Sequence, residues 1–481
     1  MIKHIIKFEW IALLRDQWIL ILVILFFSIT LFAVRNGHEK VADRVSAIAH
    51  EREEVATQDA QTIAEIDSVE RQLKALPSES WLDPRSLENI AWQSPRVVAM
   101  DPVPLALVST GQSDVFTHYV KPKIYGEAYT LGFSELSNPV QLLFGSFDLA
   151  FVCIYLLPLL VLAFCYNLLS SEKESGALRL IYAQPISLYP WLLNRLLFRF
   201  FVLSAIAIIS ITVSLLIYQV DIASNLGSFL KLLSLLLLYL LFWFMVAFVV
   251  NLRGKSSGHN AVTLVALWLT VVLLIPSVIS QLATNLYPVP SRIGMIHEYR
   301  VATTEARERA DEILENYYRD HPELAPKDTT QENRYTWMLT YFTSSDVVNE
   351  SIRPILNEYD AALARQQAWV DQLRFLSPAT LLQHGLNDIA GTSTAHYVDF
   401  RKQVIAFATE WKDYFKERMF ANELMKAEEV ASLPQHQYSA GDITTSYEGD
   451  LGGLLVFLLV ASASSWLLYR QANLAKVLIT N

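Results

Sequence analysis

The run Leu149-Ala-Phe-Val-Cys-Ile-Tyr-Leu-Leu-Pro-Leu-Leu-Val-Leu-Ala-Phe-Cys-Tyr-Asn-Leu-Leu169 contains no charged side chain. A bilayer crossing needs about 20 apolar residues, because no water is present to satisfy a backbone that is not internally hydrogen-bonded. The run therefore reads as a membrane span. Five more runs of the same kind extend from Trp18 to Val34, Trp191 to Tyr218, Phe229 to Val250, Ala261 to Leu286 and Leu451 to Tyr469. The chain has 481 residues, 53% of them hydrophobic, which is more than a soluble globular protein of this size carries. The first run has no small-x-small cleavage site and continues into a charged helical segment, so it reads as a retained span rather than a secretory signal. The expected fold class is an all-α membrane protein with six transmembrane helices.

Orientation follows from Lys and Arg in the short segments beside the spans. With a cytoplasmic N-terminus, the inside collects Lys3, Lys7, Arg15, Lys173, Arg179, Arg195, Arg199, Arg253, Lys255, Arg470 and Lys476 against Glu9, Asp16, Glu172 and Glu174. The net charge of -10 is then a basic inside and a strongly acidic outside. The resulting organisation is an interfacial entry helix over 1–17, spans at 18–34 and 147–169, and a periplasmic domain over 35–146 between them. A cytoplasmic loop at 170–190 follows, then spans at 191–218 and 229–250, a cytoplasmic loop at 251–260, and a span at 261–286. A second periplasmic domain at 287–450, a span at 451–469 and a cytoplasmic tail at 470–481 complete it. The only two cysteines, Cys153 and Cys165, both lie in the second span and read as packing residues. No disulfide framework or Cys/His zinc spacing occurs outside the spans.

The first outer segment opens with Val41, Val45, Ile48, Val55, Ile66, Val69, Leu73 and Leu76 at helical spacing, interrupted by Arg52 and Asp59. This predicts one long helix over 38–76, stopped by Pro77 and rising roughly 55 Å. From Trp81 to Gln141, Pro, Ser and Asp point to turns and a few strands. The second outer segment carries two helical stripes, Val348, Ile352, Ile355, Tyr359, Leu363, Val370 and Leu373, then Phe400, Val404, Phe407, Trp411, Phe415 and Met419. Both are expected to be core faces of a helical domain, and Ser377 to Thr394 is expected to be a structured turn between two helices.

Between the second and third spans lies Ser170-Ser-Glu-Lys-Glu-Ser-Gly-Ala-Leu-Arg-Leu-Ile-Tyr-Ala-Gln-Pro185. Glu172 and Glu174 precede a short helix, where carboxylates suit the helix dipole, and Leu178, Leu180 and Ile181 supply an apolar face for a partner or the bilayer surface. The loop closely resembles the coupling helix of ABC-2 type exporter permeases, in which an acidic pair, a glycine and a short amphipathic helix ending near proline follow the second span. Glu172, Glu174, Gly176, Leu178, Leu180, Gln184 and Pro185 carry the resemblance, with Ala177 where the family often has Thr, and these residues together with Ile181 are the expected docking set. Phe8 to Asp16 is similar to the family's entry helix, and Phe147-Asp148 with Leu157-Pro158-Leu to the start of its second span. The two large insertions, Leu376-Ser-Pro-Ala and Ala390-Gly-Thr-Ser are similar to one branch catalogued mainly as a domain of unknown function.

That resemblance implies a type V exporter-like permease in the bacterial inner membrane. Its termini would be cytoplasmic, and it would pair with an identical or related permease. Two copies of a separate ABC ATPase would bind ATP and Mg and dock on the coupling loop. The substrate would be a peptide, small molecule or lipid-like compound, with membrane lipids as neighbours. The alternative is a mechanotransmission protein that works on a periplasmic partner without transport through its spans. No cofactor, catalytic role or nucleic-acid partner is expected of this chain.

Other candidate residues weigh less. Gly254-Lys255-Ser256 matches the end of a phosphate-binding loop, but Val249 stands where the motif needs its first glycine and no strand leads in. Asp148 is expected to sit hydrated at an outer boundary, and Arg195 and Arg199 to snorkel to the inner face. His297-Glu298 and His384 lack metal-ligand spacing and are expected to be solvated or capping.

Overall fold

The computed structural model describes residues 6–7, 9–11, 18–75, 82–111, 113, 116–125, 147–184, 187–325, 333–441 and 446–471. Helix α1 spans Trp18–Glu70 without interruption, so the first span and the outer helix are one rod. At 1.5 Å per residue it is about 80 Å long. It ends ahead of Pro77, which lies outside the described residues. Gln72 takes a positive φ of 58°, and the Leu73 N–H donates to the Ser68 carbonyl at 2.9 Å, closing the last turn.

Helix α2 covers Leu87–Gln93, and strands β1 (Val98–Ala99) and β2 (Tyr119–Val120) form a two-stranded antiparallel ribbon pairing Val98 with Val120 and Ala99 with Tyr119. Next comes α3, a rod built from Leu149–Phe151, a π-helical turn Val152–Leu156 and Leu157–Cys165. Two short helices follow, α4 (Ser170–Glu174) and α5 (Ala177–Tyr182). Then come α6 (Leu188–Ile217), α7 (Leu226–Leu252) and α8, made of Ser257–Trp268, a π-helical turn Leu269–Leu274 and Ile275–Leu286. The outer domain contains α9 (Arg292–Glu308), α10 (Ala310–Asp320), α11 (Thr336–Leu373), α12 (Pro378–Ile389), α13 (Thr394–Phe420) and α14 (Ala427–Val430). Helix α15 (Tyr447–Gln471) is the last span.

The two π-helical turns have a common cause. Each precedes a proline, Pro158 or Pro276, whose missing N–H frees a carbonyl one turn back. In a span that carbonyl must find another donor. The Tyr239 hydroxyl of α7 donates to the Ile154 carbonyl at 2.9 Å, and the Ser377 hydroxyl ahead of α12 donates to the Val271 carbonyl at 2.7 Å. Each of these spans is thus tied to a neighbouring element at its π-helical turn.

Two apolar cores result. One joins α1, α3, α6, α7, α8 and α15, and the other joins the far end of α1 to α2, the β ribbon, α10, α11 and α13. Phe400, Val404, Phe407, Trp411, Phe415 and Met419 are all buried in the second core. The stripe on α11 divides: Val348 and Ile352 are buried, whereas Leu363 is exposed. The segment expected to be a turn, Ser377 to Thr394, contains helix α12. Its Ala379, Leu381, Leu382 and Leu386 pack into the core of the spans, not that of the outer domain. The sequence reading missed it because twelve residues bracketed by Ser-Pro and Ala-Gly look like punctuation, although the proline at a helix's first position favours a start.

Candidate functional site

At the loop end of the bundle, the chain leaves α3 at Cys165 and turns before α4. Asn251 of α7 holds that turn, accepting from the Leu169 N–H at 3.1 Å and donating to the Cys165 and Ala247 carbonyls, both at 2.9 Å. Asn260 donates to the Tyr166 carbonyl at 3.2 Å. Both side chains are buried, and they satisfy backbone groups that an unwound helix end leaves open.

The acidic pair precedes α5 as expected but lies in a short helix of its own, α4, and both carboxylates bond to the protein although Glu174 remains exposed. Glu172 accepts from Arg195 Nη1 at 3.0 Å, and Glu174 accepts from the Ser257 N–H at 2.7 Å and its hydroxyl at 3.0 Å. Lys173 donates to the Gly254 carbonyl at 3.0 Å, so the Gly254-Lys255-Ser256 turn is a clamp for the loop. That turn joins two helices, α7 and α8.

Arg195 and Arg199 do not reach for water. Arg195 is 5% exposed and pairs through Nε with Glu9, itself 0% exposed, while Arg199 Nε reaches the other Glu9 oxygen at 2.9 Å. Arg195 also donates to the Leu168 carbonyl at 3.2 Å. Two arginines and two glutamates form a charge-balanced cluster, the condition under which burying ions is tolerable. It joins the segment 9–11 to α4 and α6.

Gly176 separates α4 from α5 with φ +78°, a left-handed conformation that L side chains rarely adopt, and its missing Cβ faces open space. On α5, Leu178 and Ile181 share one face and Leu180 lies on the other, as helical spacing requires. Leu178 is 4% exposed in the span core and Ile181 packs against it, whereas Leu180 is 72% exposed. The three apolar side chains expected on one exposed face therefore split between anchoring and exposure. Gln184 is exposed, and Pro185 lies outside the described residues.

At the opposite end of α3, Asp148 is buried and caps the helix. Its carboxylate accepts from the Phe151 N–H at 2.8 Å and from the Thr110 N–H and hydroxyl at 2.9 Å, in place of the expected hydration. Beside Thr110, the Ser109 hydroxyl donates to Asn387 of α12 at 2.6 Å, and Gln383 donates to the same oxygen at 2.8 Å.

The other edge of α12 carries a second charge cluster. Asp450 of α15, 0% exposed, accepts from Arg374 Nε at 2.9 Å and lies 2.8 Å from His384 Nδ1. Asp388 lies 3.8 Å from the same nitrogen and accepts from the Ser446 N–H at 3.1 Å. His384 is thus not isolated. Its partner stands far along the chain, on the last span. Burial works against the imidazolium, yet the hydrogen bond to Asp450 and its charge, helped by Asp388 and opposed by Arg374, hold His384 above its ordinary value. His297 and Glu298 are exposed on α9.

By the length and composition of six helices, this is a multi-pass, all-α membrane protein. Residues 292–439 match the family described as a domain of unknown function, DUF3526. That segment holds Arg374, His384 and Asp388 and stops short of Asp450. No curated protein and no solved structure matches the chain.

Proposed function

We propose that this chain is the membrane-spanning permease subunit of an ATP-driven ABC exporter of the ABC-2 type, located in a bacterial inner membrane with both termini cytoplasmic. The observation that carries the reading is the α4–α5 loop. Its carboxylates and Leu178 hold it to the spans, while Leu180 is left 72% exposed on a short helix. An anchored loop with an outward apolar residue suits a lever that a partner presses on, and the resemblance in residues 172 to 185 names that partner as an ABC ATPase. Two ATPase copies bind ATP and Mg, and a second permease, identical or related, completes the transporter. The chain itself acts as no enzyme. Closure of the ATPases moves the loop, and the Glu9–Arg195–Glu172 cluster passes that motion to α6.

A second reading is favoured by one observation, the continuity of α1 from the span core into the outer core. A rod of that length suits mechanical work on a periplasmic partner, with no substrate crossing the spans. Reconstitution with the ATPase in sealed vesicles separates the two. Transport of a peptide, small molecule or lipid-like substrate without any periplasmic component supports export, whereas ATP turnover that responds only to a periplasmic component supports the mechanical reading. Failure of the chain to bind any ABC ATPase contradicts both.

A further inference from the structure

We propose that His384, Asp388 and Asp450 form a binding site for one divalent transition-metal ion of the zinc class, at the junction of α12 and the last span. The three side chains each offer one ligand atom, and these atoms all lie within 4.8 Å of one another. His384 Nδ1 is 2.8 Å from Asp450 Oδ2 and 3.8 Å from Asp388 Oδ2. Bonds of about 2.0–2.2 Å to zinc separate neighbouring ligands by about 3–3.5 Å, so small movements bring the set onto an ion.

The surroundings favour the same use. His384 and Asp388 stand one turn apart on α12, so a single helix face presents two of the ligands. Arg374 holds Asp450 through Oδ1 and leaves Oδ2 to the site, and the Ser446 N–H fixes Asp388. Outer partners of this kind orient ligating carboxylates. The His384 side chain is 23% exposed, against 4% for Asp388 and 0% for Asp450, which gives an entry path over the imidazole. One nitrogen and two carboxylate oxygens without a thiolate suit zinc and its neighbours better than calcium, magnesium or cuprous copper. Water would complete a tetrahedral set. The guanidinium of Arg374 repels the ion and moderates the affinity.

The competing account is a purely structural cluster in which two cations balance two carboxylates. The two accounts differ over zinc itself. A structural cluster retains none, whereas a metal site takes one ion per chain and loses it when a ligand is removed.

The test uses the full chain in nanodiscs, stripped with chelator, with zinc chloride as the probe and elemental analysis and calorimetry as readouts. One zinc per chain is expected, and H384Q and D388N should each weaken it by at least about tenfold. X-ray absorption at the zinc edge of the unsubstituted chain should show imidazole scattering with an otherwise oxygen shell, a readout that does not depend on any variant folding. Failure of the unsubstituted chain to retain zinc, equal retention by H384Q and D388N, or a shell without imidazole would each overturn the proposal.

Discussion

Two buried charge clusters stand at opposite ends of the helical bundle, and they differ in what they join. The loop-end cluster of Glu9, Glu172, Arg195 and Arg199 ties together elements that adjoin the spans on one side. The domain-end cluster of Arg374, His384, Asp388 and Asp450 joins the outer domain to the last span. In the first, Glu9 is shared by two arginines. In the second, Asp450 is the shared acid, and its two cations both come from the outer domain. Losing Asp450 therefore strands two partners and cuts a long-range tie, whereas losing Arg195 leaves Arg199 on Glu9.

That contrast ranks the expected effects. Asp450→Ala should cost about 3–5 kcal/mol, because it leaves Arg374 without its carboxylate and His384 with only Asp388, 3.8 Å away. Thermal unfolding of the purified chain in detergent would read this, and a loss below that of Arg195→Ala would break the comparison. Arg195→Ala should cost about 2–3 kcal/mol, the range for charged hydrogen bonds left unmade, and a double-mutant cycle with Glu9→Gln should show coupling. Leu178→Ala should cost about 2–5 kcal/mol and Leu180→Ala less than about 0.5 kcal/mol in the same measurement, since only the first empties a core position. Equal effects at the two leucines would mean that α5 is not oriented as described.

A further small effect concerns a half-exposed contact within the outer domain. Asp346 of α11 takes Lys412 at 2.9 Å and Lys416 at 2.5 Å from α13. Burial raises its carboxyl, but the two lysines outweigh that and hold it below its ordinary 3.8. A depressed carboxylate stabilises the fold above its ordinary value, and the contribution fades as pH falls through the lowered one. Asp346→Asn should thus cost under about 1 kcal/mol at neutral pH, with the difference vanishing in acid. A difference that grows on acidification would contradict the assignment.

The spans were legible because a bilayer demands long uninterrupted apolar runs, and α13 because Phe400 to Met419 keeps strict helical spacing. The charged groups were legible only one by one. Arg195 and Arg199 stood out as charges beside apolar runs, but their common partner Glu9 lies across the fold in the entry segment. His384 and Asp388 did show helical spacing, the one local signal, while Asp450 is separated from them by the whole of α13. The burial of Leu178 against the exposure of Leu180 depends on how α5 is rotated, which six residues do not fix. Helix α12 was hidden for a similar reason: its apolar face is matched to the spans and not to the domain around it in sequence.

The proposed docking of an ABC ATPase on α5 is tested most directly by in-cell photocrosslinking from a benzoylphenylalanine at position 180, with mass spectrometry of the adduct. An adduct with an ABC ATPase subunit is expected from position 180 and none from position 178. Adducts confined to lipid, or an ATPase adduct from 178 and not from 180, would contradict it.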